Sequence, residues 1–194
     1  MEIDMSDESL TEDCLKGNDT ALVLLIDRYT PIAYNYVRRL CGNDEEASDI
    51  TQDSIIKMWR NIGSFKKEKG SFKTWIWKII RNTTFDALRK RPHANIAFSA
   101  FDKEEGNAIT DNLASEGPLQ NEMFAHAEDV ATLEIAMQKL SPQARDVLLL
   151  RYQEGLTFEE IGTTLNKPLN TVKSRHHRAI KSLKDIIGET NAPK

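Results

Sequence analysis

Cysteine occurs only twice in the 194 residues, at Cys14 and Cys41, with no C-x-x-C spacing and no neighbouring pair of histidines. Neither a disulfide framework nor a zinc site follows from that pattern, and a reducing cytoplasm is the default setting. No apolar run approaches the roughly 20 residues of a membrane span, so no direct membrane insertion is expected. The opening MEIDMSDESL is too acidic and polar for a signal or transit peptide. A P-loop, H-E-x-x-H, G-x-S-x-G and any paired Cys/His set are all missing as well. No catalytic residue, metal or cofactor is therefore expected. Positive charge is in deficit: the formal net charge is −4, and taken alone that argues against a nucleic-acid protein.

The average conceals strong blocks. Residues 1–56 carry thirteen acids and four Lys/Arg, whereas 57–91 carry eleven Lys/Arg against Glu68 and Asp86. Residues 92–140 return to nine acids against Lys103 and Lys139, and 141–194 hold nine bases against six acids. Alternation of that kind points to distinct surfaces for distinct partners.

Helical periodicity dominates, with Gly and Pro falling mostly between segments and no strand alternation. The expected class is all-α, in two small helical domains. A helix from Asp19 to Cys41 is expected to be interrupted or kinked at Pro31 and to stop at Gly42. Asn43 or Asp44 caps a second, running to about Asn61 with three acids in its first turn, where the helix dipole favours them. GSFKKEKGS forms a loop, and a further helix from about Ser71 to Lys90 ends before Pro92. Residues 93–127, acidic and sparsely apolar, read as a linker, because structureless loops of that length are uncommon inside a compact domain. Helix resumes at about Ala127. Ser141 and Pro142 then open the next helix as N-cap and first residue, and Gly155 closes it. Thr157 and Glu160 form a capping-box pattern before a short helix to Leu165. The domains so bounded are 19–92 and 128–188, flanked by an N-terminal extension 1–18, whose order the sequence does not decide, and a tail 189–194.

TFEEIGTTLNKPLNTVKSRHHRAIKSLK, residues 157–184, is laid out as helix, turn, helix, with Asn166 able to take the left-handed conformation. Stepping about 100° per residue from Val172, Ala179, Leu183, Ile186 and Ile187 share one side. Lys173, Ser174, His177, Arg178, Lys181 and Lys184 share the other. Between Lys167 and Lys184 there are six Lys/Arg and no acid. Donors and cations of this sort read base edges or hold phosphates in a major groove, and Asn170 and Thr171 at the helix start suit a phosphate. A solvated basic face on an ordinary bundle helix is the plainer alternative. His176 projects toward the apolar side and reads as a packing residue, since adjacent helical histidines diverge and cannot chelate easily.

In the helix 44–61, Ala47, Ile50, Ser54, Met58 and Ile62 line one face, and Asp49, Gln52, Asp53, Ile56 and Arg60 the reverse. Ile56 amid charges is a candidate docking anchor, or an incidental surface residue. Along 71–92, Phe72, Trp75, Ile76 and Ile79 share a core side. Trp77 points elsewhere with Arg81, Thr84 and Leu88, flanked by Lys78, Phe85 and Arg89. Aromatic and cationic groups together suit single-stranded nucleic acid, while packing against a neighbouring helix is the alternative for Trp77. Trp59 is expected in the core.

DEEASDITQDSIIKMWRNIGSF, GSFKTWIWKIIRNTTFDALRKRP, an acidic linker and LSPQARDVLLLRYQEGLTFEEIGTTLNKPLNTVKSRHHRAIKSL, in that order, resemble bacterial RNA polymerase sigma factors of the sigma-70 family, extracytoplasmic-function (ECF) type. The resemblance spans about 20–92 and 128–188. It implies a sigma region 2 helical bundle and a sigma region 4 helix-turn-helix, joined by a flexible tether that threads toward the polymerase active site. It implies a cytoplasmic, non-catalytic specificity subunit whose partners are core RNA polymerase, through its clamp helices and flap, promoter DNA, and an anti-sigma factor. Asp49, Gln52, Asp53, Ile56 and Arg60 would dock on the clamp helices. Phe65, Lys66, Lys67, Lys69, Trp77, Lys78, Arg81, Asn82, Asp86 and Arg89 would serve the −10 element. Asn170, Thr171, Lys173, Ser174, His177, Arg178 and Lys181 would serve the −35 element. Two departures stand out: His176 occupies a place where the family usually has an apolar residue, and Asn166 one where Gly is common. Two other readings stay open, a free-standing operator-binding regulator and a sigma-like protein that sequesters an anti-sigma factor without reading promoters.

Overall fold

In the computed structural model, residues 5–91 and 130–191 are described. Their helices are α1 (Asp7–Leu15), α2 (Asp19–Cys41), α3 (Asp44–Asn61), α4 (Phe72–Arg89), α5 (Val130–Lys139), α6 (Pro142–Leu148), α7 (Phe158–Leu165) and α8 (Leu169–Asn191). The class is all-α, with no strand among the described residues. The linker expected at 93–127 lies outside them.

Caps account for most helix starts, because a side-chain oxygen takes up amides that have no partner within the first turn. Asn18 accepts from Thr20 and Ala21, Asn43 from Glu46, Ser71 from Thr74, and Ser141 from Ala144. Thr157 and Glu160 complete a reciprocal capping box. Gly42 ends α2 in the left-handed conformation, φ 71°. Contrary to the expected interruption, α2 runs through Pro31 as one helix. Proline removes one hydrogen bond there, but Leu25, Tyr29, Ala33, Tyr36 and Val37 on both sides of it are buried, so packing holds the helix across the gap.

Residues 5–91 together with 156–167 form one compact unit. The N-terminal extension contributes α1 to it. Leu10 and Thr11 are buried, Asp7 accepts from the Tyr29 hydroxyl and from Arg28, and Glu8 accepts from the Phe72 amide at 3.4 Å. Arg91 closes the other end, its Nε donating to Glu46 at 3.0 Å and its Nη2 to the Cys41 carbonyl at 3.0 Å.

Two tryptophans depart from expectation. Trp77 is 0% exposed, edge-on to Tyr36 at 4.9 Å, so it is a core residue and offers no platform for a base. The physical reason is that α4 is packed by α1, α2, α3 and α7, and a helix touched from several sides buries more than one stripe. Trp59, expected inside, is 55% exposed. It lies one residue past the buried stripe Ala47, Ile50, Ser54, Met58, which turns its ring outward.

The second unit comprises residues 130–155 with 168–191. Its core joins Ala136, Leu140, Ala144, Leu148, Ala179, Ile180 and Leu183, with Tyr152, Ile186 and Ile187 packed on it. Arg145 is buried because it caps α5: Nε donates to the Met137 carbonyl at 2.8 Å, and Nη2 to those of Gln138 at 2.6 Å and Leu140 at 3.1 Å. After α6 the chain widens into a π turn, Leu149–Gln153, with Glu154 N donating to the Leu149 carbonyl at 3.1 Å.

Candidate nucleic-acid interface

On α8, Val172, Arg175, Ala179, Ile180 and Leu183 are buried. The opposite side presents Asn170, His177, Lys181 and Lys184 to solvent, with Thr171, Lys173, Ser174 and Arg178 half-buried. Arg178 Nε donates to the Ser174 carbonyl at 3.4 Å. Apart from buried Arg175, the helix therefore carries its cations on one side and its apolar residues on the other, as the 3.6-residue period requires. Ahead of it, Asn166 adopts the left-handed conformation at φ 53°, ψ 47°, so the turn forms with Asn in place of Gly.

His176 takes the packing position expected of it. It is half-buried, its Nε2 shares a hydrogen bond with the Tyr152 hydroxyl at 3.0 Å, and its ring lies 5.6 Å from that of Tyr152. Burial, followed by the charges of Arg151 and His177, lowers its pKa from 6.5 to about 4. The imidazole is neutral at physiological pH. Sequence reasoning missed both Tyr152, which the π turn carries to this position, and Arg175, whose charge gave no sign that it would be buried.

In the first unit, the outward side of α3 presents Asp49, Gln52, Asp53 and Arg60 around Ile56, which is 41% exposed. Trp59 joins them three residues on from Ile56, so the apolar centre holds an aromatic ring as well as an isoleucine. The face was legible from spacing; its tryptophan was not.

The loop between α3 and α4 folds as two short 3-10 turns, Ile62–Ser64 and Lys67–Lys69. Phe65 is half-buried and anchors the loop, its ring 5.5 Å from Phe72 and 5.9 Å from Trp75. Lys66, Lys67 and Lys69 are exposed, and Lys67 lies 3.8 Å from the Glu12 carboxylate. Along α4, Lys78, Asn82, Asp86 and Arg89 form an exposed stripe. Arg89 Nη1 donates to Asp86 at 2.9 Å, and the Arg81 guanidinium lies 4.3 Å over the Phe85 ring. Of the residues expected at the −10 element, all but Trp77 therefore lie wholly or partly at the surface.

The Sigma-70 region 2 family model matches residues 25–93, and the Sigma-70, region 4 model matches residues 136–185. The ECF RNA polymerase sigma factor SigW of Bacillus subtilis is 32% identical over 169 residues, which cover 87% of this chain and 90% of SigW. The chain belongs to the ECF RNA polymerase sigma factors. A sigma factor is a specificity subunit of RNA polymerase and has no catalysis of its own. Among solved structures, CnrH in complex with the cytosolic domain of CnrY shares the fold at a TM-score of 0.67 and 18% identity, over 96% of this chain and 99% of that one. The sigma factor RpoE from Bartonella quintana, in complex with the anti-sigma factor NepR, aligns at 0.60 and 20% identity, over 87% of this chain and 97% of that one. In this sigma factor, α1 precedes the residues matched by region 2. Among the described residues, no helix is long and apolar enough to cross a membrane.

Proposed function

We propose that this sigma factor binds core RNA polymerase, directs it to promoters by their −35 and −10 elements, and assists melting of the duplex. Docking on the polymerase is assigned to Asp49, Gln52, Asp53, Ile56, Trp59 and Arg60, and the observation that carries the reading is their shared outward face on α3. An exposed apolar pair inside a polar rim is the composition of an interface centre. Recognition at −35 is assigned to Asn170, Thr171, Lys173, Ser174, His177, Arg178 and Lys181. In the groove, cations and amides near the helix start would hold phosphates, and the side chains further along would reach base edges.

At −10, the assigned residues are Phe65, Lys66, Lys67, Lys69, Lys78, Arg81, Asn82, Asp86 and Arg89, with Trp77 moved to a supporting role in the core. Unstacked bases need a polar, positively charged groove with some aromatic surface. Half-buried Phe65 and Trp75 offer that surface beside exposed Lys66. Binding energy spent on an open conformation of DNA then replaces chemistry. Regulation is assigned to an anti-sigma factor in the cytoplasm, supported by the RpoE structure, which holds NepR.

Run-off transcription with purified core polymerase, followed by mapping of the start sites, tests the reading. Initiation at defined promoters is expected only when this chain is added. Tight binding to duplex operators without polymerase would instead favour a free-standing regulator. Function that survives loss of Lys173 and Arg178 would favour a sequestering protein.

A further inference from the structure

The contact between α6 and α8 includes an apolar cluster that joins Ala144 and Leu148 to Ala179, Ile180 and Leu183, with Gln143 and Asp146 of α6 and Arg175 of α8 also buried. Apolar contact is non-directional, so the cluster by itself fixes poorly the rotation of one helix about its own axis. A hydrogen bond, confined in distance and angle, adds a directional restraint. The Tyr152 hydroxyl and His176 Nε2, 3.0 Å apart, form one across this boundary. Both residues are half-buried, and the Tyr152 ring itself packs on the apolar cluster, so neither end of the bond is free to drift.

Tyr152 lies in an irregular stretch of the chain. The stretch LLRYQ, Leu149–Gln153, is a π turn, in which each amide reaches back five residues instead of four. The wider turn changes the helical phase within this stretch, and Tyr152 stands against His176. On α8, His176 lies four residues after buried Val172 and four before buried Ile180, and it directly precedes exposed His177. Whatever fixes the His176 ring also fixes where Lys173, Ser174, His177 and Arg178 point, because all five share one rigid helix.

Resting on the assignment of α8 to the −35 element, we propose that Tyr152 and His176 are positioning residues that set the rotation of α8, and so its discrimination among −35 sequences. They touch no DNA themselves. Base-reading side chains must be held to within about 0.5 Å and 10–20°, whereas phosphate contacts through long cationic side chains tolerate more. Loss of the pair is therefore felt in selectivity before it is felt in total affinity.

The test uses the full chain with core polymerase and a library of duplex promoters randomised at −35. It compares the wild type with Tyr152→Phe, which deletes one oxygen and leaves the ring, with His176→Leu, and with His176→Gln, whose side-chain amide can still meet the tyrosine hydroxyl. Expected is a fall of about fivefold or more, the scale of one ordinary hydrogen bond, in the preference for the best −35 sequence over its single-base variants. Tyr152→Phe and His176→Leu show that fall, and His176→Gln keeps most of the preference. Binding to non-promoter DNA and its salt dependence stay unchanged in all three. The proposal is overturned if Tyr152→Phe and His176→Leu keep the wild-type preference. It is equally overturned if they weaken binding to every sequence alike in step with a lowered melting temperature, the mark of a merely structural pair. A wild type with no −35 preference at all would overturn the assignment of α8 itself, and is distinguished by being seen before any variant is made.

Discussion

Residue identity decides most at the two tryptophans and at His176. Trp77 is 0% exposed, so Trp77→Ala is expected to cost about 3–5 kcal/mol in a denaturant titration. Trp59→Ala, at an exposed position, is expected to change stability by no more than about 0.5 kcal/mol while weakening association with core polymerase. An unchanged denaturation midpoint in Trp77→Ala would contradict its place in the core. His176 makes a prediction with a sign. Its folded pKa, about 4, lies below the unfolded 6.5, so between these values the unfolded chain binds the proton more readily. Stability from this group is complete above about pH 7 and is lost as pH falls toward 4, by roughly 3 kcal/mol at most. Urea titrations at pH 7 and pH 4.5 should show a smaller decrease in His176→Leu than in the wild type, and equal decreases would refute the shift. Spacing from Val172 placed His176 correctly, because one regular helix carries that inference. It could not supply Tyr152, since a π turn abandons the 100° step on which the inference runs. The tryptophans were misplaced for a related reason: the period of one helix says which residues share a side, not how many neighbours cover it.

Helices α2, α3 and α4 begin and end close to where their bounding residues indicate, since Gly42, Asn43 and Ser71 act locally. α1 was illegible. Leu10 is its one buried apolar residue, too little for a periodic signal, and its hold on the unit comes from long-range partners such as Tyr29 and Phe72. Leu10→Ala is expected to destabilise the protein by about 2–5 kcal/mol, as read by chemical denaturation; a loss below about 0.5 kcal/mol, the usual surface scale, would mean that α1 is not held. On α8, replacing Lys173 and Arg178 by Ala should weaken DNA binding by the polymerase holoenzyme. For each residue that holds a phosphate, the slope of log K against log salt should become shallower by about 0.9. A slope unchanged in the double variant would assign the basic side of α8 to something other than the DNA backbone.

For the whole molecule, a formal charge of −4 and a DNA-binding role are compatible because charge is distributed in blocks. The basic block 57–91 holds the loop and α4, and the six cations between Lys167 and Lys184 fall on one short stretch. The acids of α1 and of the first turn of α3 lie apart from the basic side of α8 in sequence and in unit. Two small surfaces assigned to DNA on an acidic chain are expected to bind promoters weakly alone, and strongly once a larger enzyme holds both. In the proposed reading, the face around Ile56 is where that dependence enters. Reconstitution of core polymerase with wild-type chain and with Ile56→Asp, scored by run-off transcription, measures it most directly. Promoter-specific transcripts are predicted from the wild type, with loss of most of the signal in Ile56→Asp despite an unchanged fold by circular dichroism. Equal transcription from both, or none from the wild type at any promoter in the genome, would contradict the account.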